Sequence, residues 1–246
     1  IVGTIHPQIV FIDECHQLSL LAQENLGIAM QDWRLPVRVN GTDAFEWVPR
    51  FTLIGATTLP GKLSKPFLDR FKIQSLFETY SFDESVLIAR LQAEKTGINL
   101  GEGVPEAIAS RSRGVARLIV RFLERLRDAA VVASKDNKTY ASLITLGLAE
   151  AVFRDFLKID DRGLTKADLK ILRVLAKQND PVGVELLAAA SNEDKGSVEH
   201  TIEPYLLQEG LIARTKRGRV LTEEGRRYLE TTGHIEIQDR GTNNRR

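Results

Sequence analysis

The chain has 246 residues, 43% hydrophobic and 27% charged, an ordinary water-soluble balance with room for one large domain or two to three small ones. A formal net charge of +1 excludes a globally basic nucleic-acid binder, so any DNA-binding surface has to be a local patch. The single cysteine, Cys15, excludes an internal disulfide framework and fits a reducing cytoplasm, and no apolar run approaches the ~18–20 residues of a membrane span.

The first residues, IVGTIHPQ, have no basic segment of the kind that opens a signal peptide. They also lack an initiator methionine, and the expectation is a chain that starts within a domain. Residues 9–12, IVFI, are continuously apolar and β-prone, the pattern of a buried central strand in a parallel sheet. A helix is predicted from Ser19, its N-cap, to Asp32. PVRVNGTDAFEWV, 36–48, reads as a β-hairpin around Asn40-Gly41. FTLIGATT, 51–58, is a second apolar strand ending in small polar residues, LSKPFLDRF is a short loop and helix, and 73–80 is a further β-prone run.

From Phe82 to about Leu157 the pattern is helical. Leu118, Ile119, Phe122, Leu123 and Leu126 recur at helical spacing, with Arg117, Arg121 and Arg125 on a separate stripe. KIDDRG, 158–163, is polar and reads as a linker. Residues 164–231 then run helix, helix, helix and a two-armed ribbon around a basic glycine turn, the order of a winged helix-turn-helix. The tail 234–246 is polar and expected to be disordered. The fold class is therefore α/β, then an all-α unit, then a winged helix. Its boundaries fall at 1–80, 81–157, 158–233 and 234–246.

Asp13 and Glu14 lie just past the carboxyl end of a strand, the edge where open α/β sheets bind ligands. Mg2+ takes oxygen ligands and keeps its waters, so one carboxylate, Asp13, suits its shell. The second, Glu14, can orient and deprotonate an attacking water. The alternative is a pair of solvated acids. A strand beside this one would bring Thr57 or Thr58 to the same edge, where a hydroxyl can bond the water or a γ-phosphate; a strand-terminal turn explains the same threonines. Arg70 reads either as a surface residue or as an arginine finger acting on a transferring phosphoryl group. Arg117 reads either as a residue that reaches the nucleotide from the helical unit or as one that merely solvates a helix N-terminus; it opposes the helix dipole, a placement that an anionic partner offsets.

On the ribbon, Arg214, Lys216, Arg217 and Arg219 cluster, with Arg226 and Arg227 just after. Phosphate neutralisation by such a wing supplies sequence-independent DNA affinity; a solvated turn explains the same charges. The third helix, 193–209, carries Glu193, Asp194, Glu199, Glu203 and Glu209, and Pro204 interrupts it, so it is a poor reader of the major groove.

FIDECHQLS, the hairpin, FTLIGATT, LSKPFLDRF, RSRGVAR and IEPYLLQEGLIARTKRGRVLT occur in the order seen in the RuvB family, AAA+ motors of Holliday-junction branch migration. The resemblance covers roughly 8–233. It implies the second half of an AAA+ ATPase core (1–80), a helical lid (81–157) and a winged-helix DNA-binding domain (158–233). It implies ATP and Mg2+ as cofactors and an ATP-dependent DNA helicase active in recombination and repair. Asp13 and Glu14 match the family's Walker B acids, Thr58 its sensor 1 with Thr57 as alternate, Arg70 its arginine finger and Arg117 its sensor 2. Implied partners are Holliday-junction DNA, five further copies in a cytoplasmic hexamer, and RuvA at the hairpin 36–48, whose tip NGTDAF is shorter than the resemblance leads one to expect.

The chain contains no G-x-x-x-x-G-K-[ST] phosphate loop. The expectation is that this loop lies upstream and that the chain alone hydrolyses ATP hardly at all. A second reading is a winged-helix DNA-binding regulator with a degenerate ATPase remnant. A third, a DECH-box helicase, needs a second RecA-like domain where this sequence turns helical.

Overall fold

The computed structural model describes residues 8–39, 42–133 and 143–233. The chain divides into two compact units between Phe77 and Glu78.

In the first unit, β1 (Gln8–Ile12) pairs in parallel with β4 (Phe51–Gly55), in a register from Gln8 opposite Phe51 to Ile12 opposite Gly55. The crossover contains α1 (Leu20–Asp32), whose N-cap Ser19 accepts the Ala22 N–H at 3.2 Å. An antiparallel hairpin follows, β2 (Arg34–Val39) and β3 (Thr42–Trp47). Val39 stands opposite Thr42, which leaves two residues for the turn. That turn, Asn40-Gly41, lies outside the described residues. The short α2 (Lys65–Leu68) closes the unit.

Two expectations are corrected here. β1 is a strand but not a buried one: Ile9 and Phe11 are 71% and 61% exposed. Only the Ile12 side packs, against a small core of Cys15, Leu63 and Phe67. Residues 73–80 form no strand, and Ile73, Leu76 and Phe77 stand in solvent. β-prone side chains need a neighbouring ladder to become a strand, and no described segment offers one.

The second unit opens with α3 (Phe82–Thr96), started by a reciprocal Ser81–Glu84 capping box. Next come α4 (Val104–Arg111), α5 (Ala116–Ala133) and α6 (Leu146–Ala151), the last continuing as a wide π turn over Val152–Leu157. Ile108, Ile119, Leu126 and Phe153 are fully buried among them. Phe122 and Phe153 meet edge to face at 5.2 Å.

The winged helix follows within the same unit: α7 (Lys166–Ala176), α8 (Val184–Ser191), α9 (Lys195–Ser197), α10 (Glu203–Gln208), β5 (Ile212–Thr215), β6 (Gly218–Leu221) and α11 (Glu223–Thr231). Its core holds Ile171, Leu172, Leu187, Leu206, Leu211 and Leu229. Val182 adds a bridge to Arg219, and only glycine fits at 218, where a Cβ would sit 2.4 Å from the Val182 carbonyl oxygen.

Three expectations change. The third helix is not simply interrupted at Pro204: a π turn over Val198–Ile202 joins α9 to α10 and absorbs the missing proline N–H. The segment 158–163 is not a loose linker. Asp160 accepts the Leu164 N–H at 2.8 Å and the Tyr228 hydroxyl, and Asp161 pairs with Arg111. For that reason the helices of 82–157 and the winged helix share one unit. Beyond the ribbon stands a helix with no counterpart among the expected elements: α11, which Thr222 caps and which buries Tyr228 and Leu229. The tail 234–246 lies outside the described residues.

Candidate functional site

Parallel pairing of β1 and β4 carries both strand ends to one edge. The ladder runs on past the strands, with Ala56 N–H bonding Ile12 O and Cys15 N–H bonding Ala56 O, both at 2.9 Å. Glu14 adopts the left-handed conformation at φ 47°, an uncommon and strained place for a non-glycine residue. One Asp13 carboxylate oxygen accepts the Glu14 N–H at 3.0 Å. Its other oxygen has no protein partner among the described residues, and Asp13 is exposed.

The Glu14 Oε2 is heavily engaged. Thr58 donates from N–H at 3.3 Å and from Oγ1 at 3.1 Å. The His16 Nδ1 lies 3.1 Å from the same oxygen and 2.9 Å from Thr57 Oγ1. Thr57 Oγ1 also accepts the Leu59 N–H at 3.0 Å. The structure thus joins Asp13, Glu14, Thr57 and Thr58 and adds His16, 12% exposed, as the bridge. His16 follows the acidic pair directly in the sequence, which marks its place but not its second contact with Thr57.

Cys15, between them, is 3% exposed, and burial raises its thiol pKa. Among the described residues no three His, Cys, Asp or Glu side chains stand together as a metal cage. A divalent metal held by one carboxylate and its own waters suits this set better.

Arg70 follows α2 and lies back against α1. Its Nη1 donates to the Pro66 carbonyl, and its Nε is buried without a partner among the described residues. Gly27 makes the room: a Cβ there would approach Arg70 Nε to 3.0 Å. In the second unit, Arg117 is the second residue of α5, exposed and free of ion pairs among the described residues.

The ribbon separates into two kinds of basic residue. Lys216 and Arg217 occupy the β5–β6 turn, exposed and without ion pairs among the described residues. Arg219 is different: it is 12% exposed and meets the buried Glu203 at 2.8 Å. Arg214 joins the same carboxylate at 2.7 Å. Both belong to the basic cluster that the sequence points toward DNA, and the structure gives them an intramolecular partner. Glu203, counted above among surface acids, is 1% exposed. No helix among the described residues is long and apolar enough to cross a membrane.

Against this geometry stand the comparisons with known proteins. Family models described as the Holliday junction DNA helicase RuvB P-loop domain and the RuvB C-terminal winged helix domain match residues 2–77 and 161–230. A Holliday junction branch migration complex subunit RuvB of Wolbachia sp. subsp. Drosophila simulans (strain wRi) is 40% identical over 225 residues, 90% of this chain and 67% of that one. The subunit of the same name from Anaplasma marginale (strain Florida) is 39% identical over 231 residues, covering 92% and 68%. A solved structure of the Thermotoga maritima RuvB Holliday junction branch migration motor superposes with TM-score 0.76 at 32% identity, covering 95% of this chain and 72% of that one. The chain spans about two thirds of the length of these relatives.

Proposed function

The chain belongs to the RuvB family, and from that premise we propose that it forms the hydrolytic edge, lid and DNA-contacting wing of an ATP-driven Holliday-junction branch-migration motor. The observation that carries the reading is the single strand edge uniting Asp13, Glu14, Thr57 and Thr58.

Bound MgATP supplies the phosphoryl group and its metal. Asp13 would hold the divalent metal through the metal's own water shell. Glu14 orients the attacking water and takes up its proton, and Thr58 positions the Glu14 carboxylate. Arg117 would supply a positive charge to the nucleotide. Arg70 acts on a neighbouring subunit's site, so subunits meet head to tail and close into a hexamer. Lys216 and Arg217 neutralise DNA phosphates irrespective of sequence. The hairpin, with Phe45 56% and Trp47 78% exposed, contacts a RuvA-like junction-binding subunit.

The residues here fit the metal-and-water half of an ATP site, and the phosphate loop is not in this sequence. The test is therefore a chimera carrying the phosphate-loop segment of the Thermotoga maritima relative ahead of this chain. DNA-stimulated ATP hydrolysis is expected. Glu14→Gln and Arg70→Ala should each abolish it, and mixing the two variants should restore part of it, since each supplies what the other lacks. A chimera that binds DNA and never turns over ATP favours the DNA-binding regulator instead.

A further inference from the structure

The lid meets the winged helix at Arg113, between α4 and α5. Its backbone is left-handed at φ 55°, and its side chain is 14% exposed. The guanidinium donates to the Gly163 carbonyl from Nε at 2.9 Å and from Nη2 at 2.6 Å. Nη2 also reaches the Asp168 carboxylate at 2.5 Å. Asp168, 1% exposed, accepts the Thr165 N–H at 2.7 Å, so one carboxylate caps α7 and receives the lid's arginine.

The backbones touch as well. Gly163 is left-handed at φ 74°, and a Cβ there would lie 2.7 Å from the Arg111 carbonyl oxygen. Arg111, 4% exposed, binds Glu150 of the lid and Asp161 of the connecting segment. The connection 158–163 has no slack in it.

From Arg113 a packed path runs to the DNA-facing turn. The Tyr205 ring lies under the Arg113 guanidinium at 4.2 Å. Two residues earlier on α10, Glu203 clasps Arg219 of β6, two residues from Arg217. In the other direction, Arg117 follows four residues after Arg113, as the second residue of α5.

We propose that Arg113 is a positioning residue that makes lid and winged helix a single lever, carrying a displacement at Arg117 to the Lys216–Arg217 turn through Tyr205, Glu203 and Arg219. The functional meaning rests on the reading of the preceding subsection; the rigidity itself does not. Arginine suits the role because its planar fork holds a carbonyl and a carboxylate in one fixed geometry, which lysine's flexible point charge does not impose.

The experiment uses the full chain labelled for energy transfer at Leu87→Cys on α3 and Leu186→Cys on α8, both exposed in the parent, with native Cys15 buried. The parent should show one narrow distance distribution and resist trypsin after Lys158 and Arg162. Arg113→Ala should broaden the distribution and speed cleavage at those two bonds by about tenfold. Its circular dichroism should be unchanged and its DNA affinity held within about twofold, because the phosphate-binding side chains are untouched. Arg113→Lys keeps the charge, folds if the alanine variant does not, and should still broaden the distribution. A distribution as narrow and a segment as resistant in Arg113→Lys as in the parent overturns the proposal. Failure of the parent chain to bind DNA overturns the functional reading while the lever still stands or falls on the distance distribution.

Discussion

Glu203 on α10 and Arg219 on β6 form an ion pair at 2.8 Å inside the winged helix, with side chains 2% and 12% exposed. The pair fixes the ribbon to the third helix, and with Arg214 beside it the carboxylate has two cationic partners. Removing one partner of a buried pair strands the other charge and costs more than the pair contributes. Glu203→Gln should therefore lower stability by about 3 kcal/mol. Glu203→Met with Arg219→Leu should recover most of that loss. Urea unfolding of the single and double variants decides it, and equal losses in both would show that the charges are not coupled.

The ribbon's free cations behave differently. Lys216→Ala and Arg217→Ala together should weaken DNA binding about equally on all sequences and reduce the salt slope of log affinity by about 2. Stability should change by less than about 0.5 kcal/mol, the usual range for exposed sites. Binding isotherms between about 50 and 200 mM salt measure both quantities. An unchanged slope would place the DNA elsewhere.

Tyr228 is buried and its hydroxyl donates to Asp160. Burial first, then that bond, push its pKa far above the ordinary value of 10.0. A raised folded-state pKa favours the neutral phenol, so its contribution is complete below about pH 10 and is lost as the pH climbs through the folded value. Tyr228→Phe should cost about 1 kcal/mol at neutral pH, and the difference from the parent should shrink in strong alkali. Denaturation at pH 7 and pH 11 compares them. A difference that grows with pH would contradict the assignment.

Cys15 packs at 3% exposure with Leu63 and Phe67, and burial raises its thiol pKa. The thiolate is the reactive form, so iodoacetamide should label Cys15 only at the rate at which the first unit opens. Labelling should accelerate with denaturant in step with loss of that unit's structure. Labelling as fast as a free thiol in native buffer would mean that the small core is open.

Much of this architecture is written locally. The Ser19 cap, the two-residue gap of the hairpin and the apolar stripe of α5 are neighbour-to-neighbour features, and each appears where its pattern sits. The parallel neighbours β1 and β4 follow from two apolar runs with small polar ends. What escaped the sequence is settled by partners far along the chain. Residues 73–80 have strand composition and no ladder. Arg219 has the look of a surface cation until Glu203 is placed beside it. Asp168 reads as an ordinary helix cap, and nothing nearby in sequence announces that Arg113 reaches it.

The crossover between β1 and β4 has a consequence in time. Gln8 finds Phe51 only after α1 and the hairpin have been threaded between them, and such distant closure slows folding. The second unit is built from successive helices with local contacts and a larger set of buried residues. On refolding, amides of α5 and α7 should gain exchange protection well before those of β1 and β4, as pulsed hydrogen exchange can resolve. From the denatured state, the strand edge that carries Asp13 and Glu14 is therefore the last part of this chain to mature.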